Sequence, residues 1–112
     1  MNGSESFSER CYVLLRQIPE GRVSSYREIA HALGSRAYRA VGNVMNHNPY
    51  PTDLYPCHRV VKSDGTVGGY AWGTEVKTKR LREEGLSIVE GKVVNFESFL
   101  MKASEFDLSG LN

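Results

Sequence analysis

The sequence SSYREIAHALGSRAYRAVGNVM, residues 24–45, decides the fold of this chain. Ser25 followed by Glu28 is typical of a helix N-terminus, where the side chain of the first residue accepts a hydrogen bond from the backbone of the second. Apolar residues then recur at helical spacing up to Gly34, which favours the left-handed conformation in which many helices end. A second helix is expected from Ser35. The stretch therefore predicts two short helices joined by a tight turn, a helix-turn-helix.

The second predicted helix has small apolar residues on one side and basic or amide side chains on the other. The formal net charge of the chain is only +1, yet no Asp or Glu occurs from Arg36 to Thr52. A local positive patch of this kind favours binding to the phosphates of DNA. The same pattern also fits the solvated face of a helix in an ordinary bundle, so both interpretations stay open. The outer face comprises Arg36, Arg39, Asn43, Asn46 and His47.

A chain of 112 residues is long enough for one domain with a single modest core. We expect a disordered N-terminus over residues 1–6, one domain over residues 7–100 and a frayed polar tail over residues 101–112. A first amphipathic helix is expected after a capping box at Ser6 and should end before Pro19. Together with the elements that follow, this pattern predicts a mainly α fold with a small β hairpin.

In the second half of the chain, the sequence pattern predicts two hairpins and one long helix. The first hairpin spans residues 60–67 and the second spans residues 88–94, each around a glycine turn. Thr74 is expected to cap a helix that continues through Glu84, and one further helical turn is expected at residues 96–100. On the long helix, the spacing predicts two residues facing the core and four facing solvent or phosphate, namely Val76 and Leu81 against Lys77, Lys79, Arg80 and Arg82.

Composition limits the classes of partner and cofactor. No apolar run approaches the roughly 20 residues that cross a bilayer, and no signal peptide is recognisable, so we expect no membrane partner. The expected location is the cytoplasm, or the nucleus in a eukaryote. Cys11 and Cys57 are expected to be free thiols, with Cys11 in the core. The three histidines do not have zinc-site spacing, so neither a metal nor another cofactor is predicted.

The stretch Pro56-Cys57-His58-Arg59-Val60 places a thiol beside an imidazole. A thiolate is a strong nucleophile, and an adjacent base or cation makes it easier to form. A half-buried cysteine next to a surface histidine is the alternative that this stretch alone leaves open. Residues 68–73 form a glycine-rich loop with aromatic side chains, which lets the backbone approach a flat ligand closely.

Several motifs occur in order along the chain and together resemble a known family. They are Gly21-Arg22-Val23-Ser24-Ser25-Tyr26, Arg39-Ala40-Val41-Gly42, Asn48-Pro49, Pro56-Cys57-His58-Arg59-Val60, and Gly69-Tyr70 with Gly73. The chain resembles the C-terminal domain of the O6-alkylguanine-DNA alkyltransferase family, also called methylated-DNA–protein-cysteine methyltransferases. The resemblance implies a winged-helix-like helix-turn-helix domain that binds the minor groove with its second helix and flips the damaged guanine out. A cysteine then takes the alkyl group irreversibly, so that each molecule acts once.

The resemblance also implies roles for individual residues in transfer. Cys57 would be the nucleophile, His58 its base through a water, and Glu84 the carboxylate that orients the histidine. Tyr26 would lie near the extruded base and donate a proton as guanine leaves. Asn48 would tie the recognition helix to the cysteine loop.

Two further sets of residues follow from the resemblance. Arg39 would enter the base stack and fill the gap that the flipped base leaves. The DNA-binding set is Arg39, Tyr26, Ser25, Arg36, Ala40, Gly42 and Asn43. The pocket for the alkylated base would be lined by Val60, Gly68, Gly69, Tyr70 and Ala71.

The chain also departs from the usual transferases. They carry a separate domain before this one, whereas only a few residues precede Phe7, and the loop of residues 52–55 is one residue longer. Short alkyltransferase-like proteins also lack that domain, but they typically have tryptophan where this chain has Cys57. Two hypotheses follow, a single-turnover methyltransferase and a non-catalytic sensor of alkylated DNA. The expected partner is double-stranded DNA containing alkylated guanine, bound by a monomer, while other repair proteins or a separate N-terminal domain stay open as further partners.

Overall fold

The computed structural model describes residues 6–111, and this part of the chain is mostly helical. The predicted class, mainly α with a small β hairpin, is confirmed. The α-helices are α1 (Phe7–Leu15), α2 (Tyr26–Ala32), α3 (Tyr38–Asn46), α4 (Thr74–Glu83) and α5 (Phe96–Phe99). The strands are β1 (Ser24–Ser25), β2 (Val60–Val61), β3 (Ile88–Val89) and β4 (Lys92–Val93), and there are 3-10 turns at Cys57–Arg59 and Ala103–Glu105. No helix in this part of the chain is both long enough and apolar enough to cross a membrane.

Helix α1 begins after Ser6 and ends before Pro19, as predicted. Ser6 is its N-cap and forms the complete capping box with Glu9. The regular helix stops at Leu15, because the next amides bond three residues back instead of four: the N–H of Gln17 donates to the carbonyl of Leu14 at 2.9 Å. The expected disorder of residues 1–6 lies outside the described residues, apart from Ser6.

The helix-turn-helix is present, with its second helix starting later than predicted. The Ser25 hydroxyl accepts the N–H of Glu28 at 3.1 Å, and Gly34 has a left-handed backbone with φ +71°. The N–H of Ser35 turns back to the carbonyl of Ala30 at 2.8 Å, so residues 35–37 form a connection and α3 begins only at Tyr38. The inner faces of α2 and α3 meet in the main core, which contains Ile29, Ala30, Val41 and Met45.

The predicted hairpin at residues 60–67 is wrong, whereas the one at residues 88–94 is confirmed. Strand β2 pairs in parallel with β1, with Ser24 opposite Val60. The chain does turn after β2, where the N–H of Lys62 donates to the carbonyl of Thr66 at 2.9 Å. Both residues of β2 are fully buried. Burial on both faces is typical of a parallel strand, whereas a hairpin strand commonly has one face exposed to solvent. Strands β3 and β4 form the second, antiparallel pair.

Helix α4 is rotated relative to the sequence prediction. Val76, expected in the core, is 43% exposed, whereas Lys77, expected in solvent, is 1% exposed. Leu81 is buried as predicted, and Lys77 shares its face because the two residues are four apart. The helix also lacks a side-chain cap, since the Thr74 hydroxyl donates to the carbonyl of Gly68 at 3.2 Å instead of capping.

The segment after residue 100 is packed in its described part, where the sequence predicts a frayed tail. Met101 and Phe106 are buried in the main core. The Ser24 hydroxyl donates to the carbonyl of Met101 at 2.8 Å, and Glu28 accepts the N–H of Ala103 at 2.8 Å. These contacts hold residues 101–106 against β1 and against α2, the first helix of the helix-turn-helix.

Candidate active site

Cys57 sits in the 3-10 turn Cys57–Arg59, directly before the buried strand β2. Its side chain belongs to the main core, and the residue is 2% exposed. The N–H of Cys57 donates to the carbonyl of Tyr55 at 2.8 Å, and the N–H of Arg59 donates to the carbonyl of Pro56 at 2.9 Å. Because β2 follows immediately and is paired with β1, the thiol is held on a fixed part of the backbone.

The loop before the cysteine is folded on itself. Asn48 bridges it, since its amide donates to the carbonyl of Tyr55 at 3.1 Å and its side-chain oxygen accepts the N–H of Tyr50 at 2.9 Å. The rings of Tyr50 and Tyr55 stack at 4.4 Å, and Tyr12 of α1 packs edge-on against both. Asn48 follows α3 in the chain and is hydrogen-bonded to the loop that leads to Cys57. The tyrosines also line a shallow cleft of about 420 Å³ beside α1.

The carboxylate of Glu84 joins the two residues that follow Cys57. His58 Nε2 lies 2.8 Å from Glu84 Oε2. Arg59 grips the same carboxylate with two nitrogens, Nε to Oε1 at 2.9 Å and Nη2 to Oε2 at 2.7 Å, and its third nitrogen donates to the carbonyl of Ile18. The predicted contact between His58 and Glu84 is therefore present in the structure, and Arg59 shares the carboxylate with His58.

The contact with Glu84 fixes which nitrogen of His58 carries the proton. Burial alone would raise the pKa of Glu84, but the hydrogen bonds and charges of Arg59 and His58 outweigh it and hold that pKa below its usual value. Glu84 is thus an ionised acceptor, so His58 Nε2 must be the donor. In a neutral ring Nδ1 is then a free acceptor. It is buried and has no hydrogen-bond partner among the described residues.

The imidazole of His58 is kept neutral near pH 7. Burial lowers its pKa, and the hydrogen bond and charge of Glu84 only partly oppose that effect. The positive charges of Arg80 and Arg59 lower the pKa further. A neutral, oriented imidazole with an open Nδ1, in the residue that follows Cys57, is a group that can accept a proton.

A buried lysine contacts Tyr26 and the glycine-rich loop. Lys77 Nζ donates to the carbonyl of Gly69 at 3.0 Å and to the hydroxyl of Tyr26 at 3.5 Å, and it lies 5.7 Å from the Tyr26 ring centre. Burial lowers the pKa of Lys77 to about 8, with the charge of Cys57 acting in the other direction. Burial raises the pKa of Tyr26 and of Tyr70, and the negative charge of Cys57 adds to both shifts. The three side chains are therefore close enough to Cys57 to feel its charge.

A cleft of about 650 Å³ opens between α3 and the glycine-rich loop. We call it the α3 cleft. It contains several predicted DNA-binding or pocket residues, namely Tyr26, Arg39, Gly42, Asn43, Gly68 and Gly69, together with Arg27, Tyr38, Asn46, Lys62 and Ser63. Gly68 has φ +79°, and a Cβ there would lie 3.4 Å from the Tyr26 hydroxyl and 3.2 Å from Lys62, so a side chain would crowd the cleft.

The other residues predicted for DNA binding or the pocket lie outside the lining of this cleft. Ser25 is 1% exposed and its hydroxyl caps α2, so it is not open to a DNA contact. Val60 is fully buried in β2 and belongs to the core rather than to a pocket wall. Arg36 and Ala71 are exposed, while Ala40 and Tyr70 are partly buried.

Sequence reasoning missed two contributors to the site. The sequence pattern predicts that Lys77 faces solvent or phosphate, and only its four-residue spacing to Leu81 indicates the face that the structure shows. Arg59 was recognised as part of a motif without a partner, since its contact with Glu84 spans 25 residues of sequence. Local patterns carry no signal for such a contact.

Glu84→Gln should lower the free energy of unfolding by about 2 kcal/mol, because it leaves Arg59 partly buried without its counter-charge. Urea unfolding at pH 7 measures the effect. Glu83→Gln, on the exposed side of the same turn, is the matched control and should change stability by less than about 0.5 kcal/mol. Equal, small effects of the two changes would contradict the shared carboxylate.

Lys77→Met should raise the free energy of unfolding by roughly 1–2 kcal/mol at pH 7, because it removes a charge that burial disfavours. The folded pKa of about 8 is lower than the ordinary 10.5, so wild-type stability rises with pH between these values. The advantage of the variant should therefore shrink over that window. Lys79→Met, at an exposed position of α4, is the control. A destabilised Lys77→Met protein would contradict the cost assigned to the buried charge.

Comparison with known proteins places this chain in a family. A family model described as the DNA binding domain of 6-O-methylguanine DNA methyltransferase matches residues 6–86. The methylated-DNA–protein-cysteine methyltransferase of Homo sapiens is 46% identical over 83 residues, which are 72% of this chain and 40% of the relative. That of Pyrobaculum aerophilum is 53% identical over 68 residues, or 61% and 45% of the two chains. The chain spans about half or less of the length of the curated relatives compared.

Solved structures with the same fold include proteins bound to DNA. Atl1 of S. pombe, in complex with damaged DNA containing O6-carboxymethylguanine, superposes with a TM-score of 0.74 at 34% identity, covering 86% of this chain and 94% of that one. OGT of Mycobacterium tuberculosis, in complex with DNA, gives a TM-score of 0.67 at 38% identity, covering 73% and 50%. The extent of the family match and of these similarities shows that the chain belongs to the family of 6-O-methylguanine DNA methyltransferase DNA-binding domains.

Proposed function

We propose that this chain repairs DNA by transferring the alkyl group of O6-alkylguanine to Cys57, once per molecule. The observation that carries the proposal is the protonation of His58, the residue after Cys57 in the chain: Nε2 is committed to Glu84, and Nδ1 is buried without a partner among the described residues. Buried polar atoms in proteins nearly always have a hydrogen-bond partner, and a purely structural histidine would be expected to follow this rule. The unpartnered Nδ1 therefore favours a chemical role for His58. The relatives named methylated-DNA–protein-cysteine methyltransferase support the same chemistry.

Transfer is a substitution at the alkyl carbon. The thiol proton moves to His58 Nδ1 through a water, and the sulfur attacks the carbon as a thiolate. The new S–C bond forms as the O6–C bond breaks, and the electron pair of that bond stays on guanine. Guanine takes up a proton, so that the products are an S-alkyl cysteine and a normal base. No step in this sequence cleaves the thioether, which is why the protein acts once.

Tyr26 is suited to deliver the proton to guanine. It lines the α3 cleft, and its raised pKa keeps the phenol protonated at neutral pH. Because Lys77 donates a hydrogen bond to the phenol oxygen, the Tyr26 proton is free to point into the cleft. Lys77 also places a positive charge where negative charge develops on the leaving base, a recurring form of transition-state stabilisation.

Double-stranded DNA containing alkylated guanine is the proposed partner. The α3 cleft is lined by Arg39 and by other basic or amide side chains, and it extends from α3 to Tyr26. Flipping a base costs a few kcal/mol, and Arg39 would offset part of that cost by filling the space left in the stack. Neither a metal nor another cofactor takes part in the proposed reaction. The proposed location is the cytoplasm, or the nucleus of a eukaryote.

A sensor that binds alkylated DNA without repairing it is the second candidate. The observation that favours it is the match to Atl1, of which this chain covers 94% at a TM-score of 0.74. Both candidates use the same fold and the same cleft. They differ in whether the thiol of Cys57 reacts. The neutral His58, which follows Cys57 in the chain and could act as its base, favours the enzyme.

Incubation with a duplex containing O6-methylguanine should add one methyl group per protein molecule, as seen by intact mass. Cys57→Ala should abolish the gain and keep binding to the same duplex, because the α3 cleft is formed by other residues. Cys11→Ala is the matched control, since Cys11 is fully buried and burial raises its pKa to about 12. It should still gain the methyl group.

Two outcomes would contradict the proposed enzyme. Tight binding of the duplex without any mass gain would establish the sensor instead. A mass gain that persists in Cys57→Ala would remove Cys57 as the acceptor.

A further inference from the structure

One arginine joins the two loops that border Cys57. Arg80 Nη1 lies 2.7 Å from the hydroxyl of Thr52, in the loop that leads to the cysteine. The same nitrogen lies 2.8 Å from the hydroxyl of Tyr70, in the glycine-rich loop. Burial and the charge of Cys57 raise the pKa of Tyr70, and the charge and hydrogen bond of Arg80 act in the other direction. The sequence assigned Arg80 to solvent or phosphate, but the structure gives it two acceptors in separate loops.

Arg80 belongs to the charged face of α4 that points at the site. Lys77, Arg80 and Glu84 follow one another at three- and four-residue spacing, so they project from one side of the helix. Lys77 contacts Tyr26, Glu84 contacts His58, and the charge of Arg80 lowers the pKa of His58. Arg80 makes no ion pair among the described residues. Its side-chain contacts are instead to two neutral hydroxyls, one in the loop before Cys57 and one in the glycine-rich loop.

Each of the two joined loops carries an exposed apolar side chain next to the hydroxyl that Arg80 holds. Leu54 lies two residues after Thr52, and Trp72 lies two residues after Tyr70. Each is 57% exposed, and the Trp72 ring packs 5.2 Å from the Tyr70 ring. The position of these apolar groups therefore depends on how closely the two loops are held together.

We propose that Arg80 is a positioning residue that holds the two loops together over Cys57 and thereby limits the size of the alkyl group that reaches the thiol. The limit on alkyl size rests on the proposed transfer function, whereas the closure of the loops does not. Without Arg80 the loops part, and larger groups gain access relative to small ones.

The reaction of Cys57 with two iodoacetamides of different size tests the closure. In a Cys11→Ala background, the rate constants for iodoacetamide and for its fluorescein derivative are measured by intact mass, and their ratio cancels the intrinsic reactivity of the thiol. Arg80→Met should raise the ratio of bulky to small reagent about tenfold, the effect expected from losing hydrogen bonds to a charged group. Arg82→Met is the matched control, because Arg82 lies on the same helix and donates to the carbonyl of Ile88 at 2.7 Å.

Thr52→Val keeps the test decisive if Arg80→Met does not fold. It removes one of the two acceptors of Arg80 and nearly conserves side-chain volume. Thr52→Val should raise the ratio of bulky to small reagent by a smaller factor than Arg80→Met does. The double variant should have the same ratio as Arg80→Met alone. A ratio that Arg80→Met or Thr52→Val leaves at the value of the Arg82→Met control would overturn the closure.

Transfer from DNA tests the limit on alkyl size. Single-turnover rates are measured on duplexes with O6-methylguanine and O6-benzylguanine, and Arg80→Met should raise the ratio of benzyl to methyl transfer. An unchanged ratio, with more open loops in the reagent assay, would overturn the size limit. If the wild type transfers neither group, the proposed enzyme fails, while the reagent ratio still decides whether Arg80 closes the loops.

Discussion

The carboxylate of Glu84 is the group on which the site depends. It receives His58 and Arg59 together, and Arg59 in turn binds the carbonyl of Ile18 after α1. The end of α4, the turn that carries Cys57 and the end of α1 are thereby fixed to one another. A partly buried ion pair often contributes little to stability compared with apolar packing of the same volume. Here the ion pair orients the imidazole. Because the ionised Glu84 carboxylate accepts the proton of Nε2, a neutral ring keeps an unprotonated lone pair on Nδ1.

Helix α4 brings unlike charges to the same site, each for a different purpose. Glu84 sets the tautomer of His58, and Lys77 supports Tyr26 from a position where its charge is costly. Placing a lysine in the core lowers stability, and natural proteins accept such a cost mainly where chemistry needs the group. The third member, Arg80, hydrogen-bonds to Thr52 and Tyr70 in two separate loops. In the proposed reaction, one face of one helix would thus support the base, the proton donor and the opening of the pocket.

The parts of the fold that follow from short-range chemistry could be predicted from the sequence. Ser6 and Ser25 cap their helices, Gly34 ends α2 with a left-handed backbone, and the hairpin at residues 88–94 forms. Pairings between distant segments could not be predicted. Strand β2 joins β1 across 36 residues, and no periodicity in Val60–Val61 indicates a parallel partner. The phase of α4 was also missed, because a hydrophobic pattern assigns Val76 to the core before Lys77.

For the candidate site, the chemistry-bearing pair Cys57–His58 and the contact with Glu84 were predicted from the motif and the resemblance. NMR of the protein with 15N-labelled histidine tests the central claim most directly, with His58→Gln used to assign the signals among the three histidines. The account predicts that His58 carries its proton on Nε2 and has a pKa below the ordinary value of about 6.5. A proton on Nδ1, or a pKa above that value, would contradict it, since the account requires Nδ1 to be an unprotonated acceptor in a neutral ring.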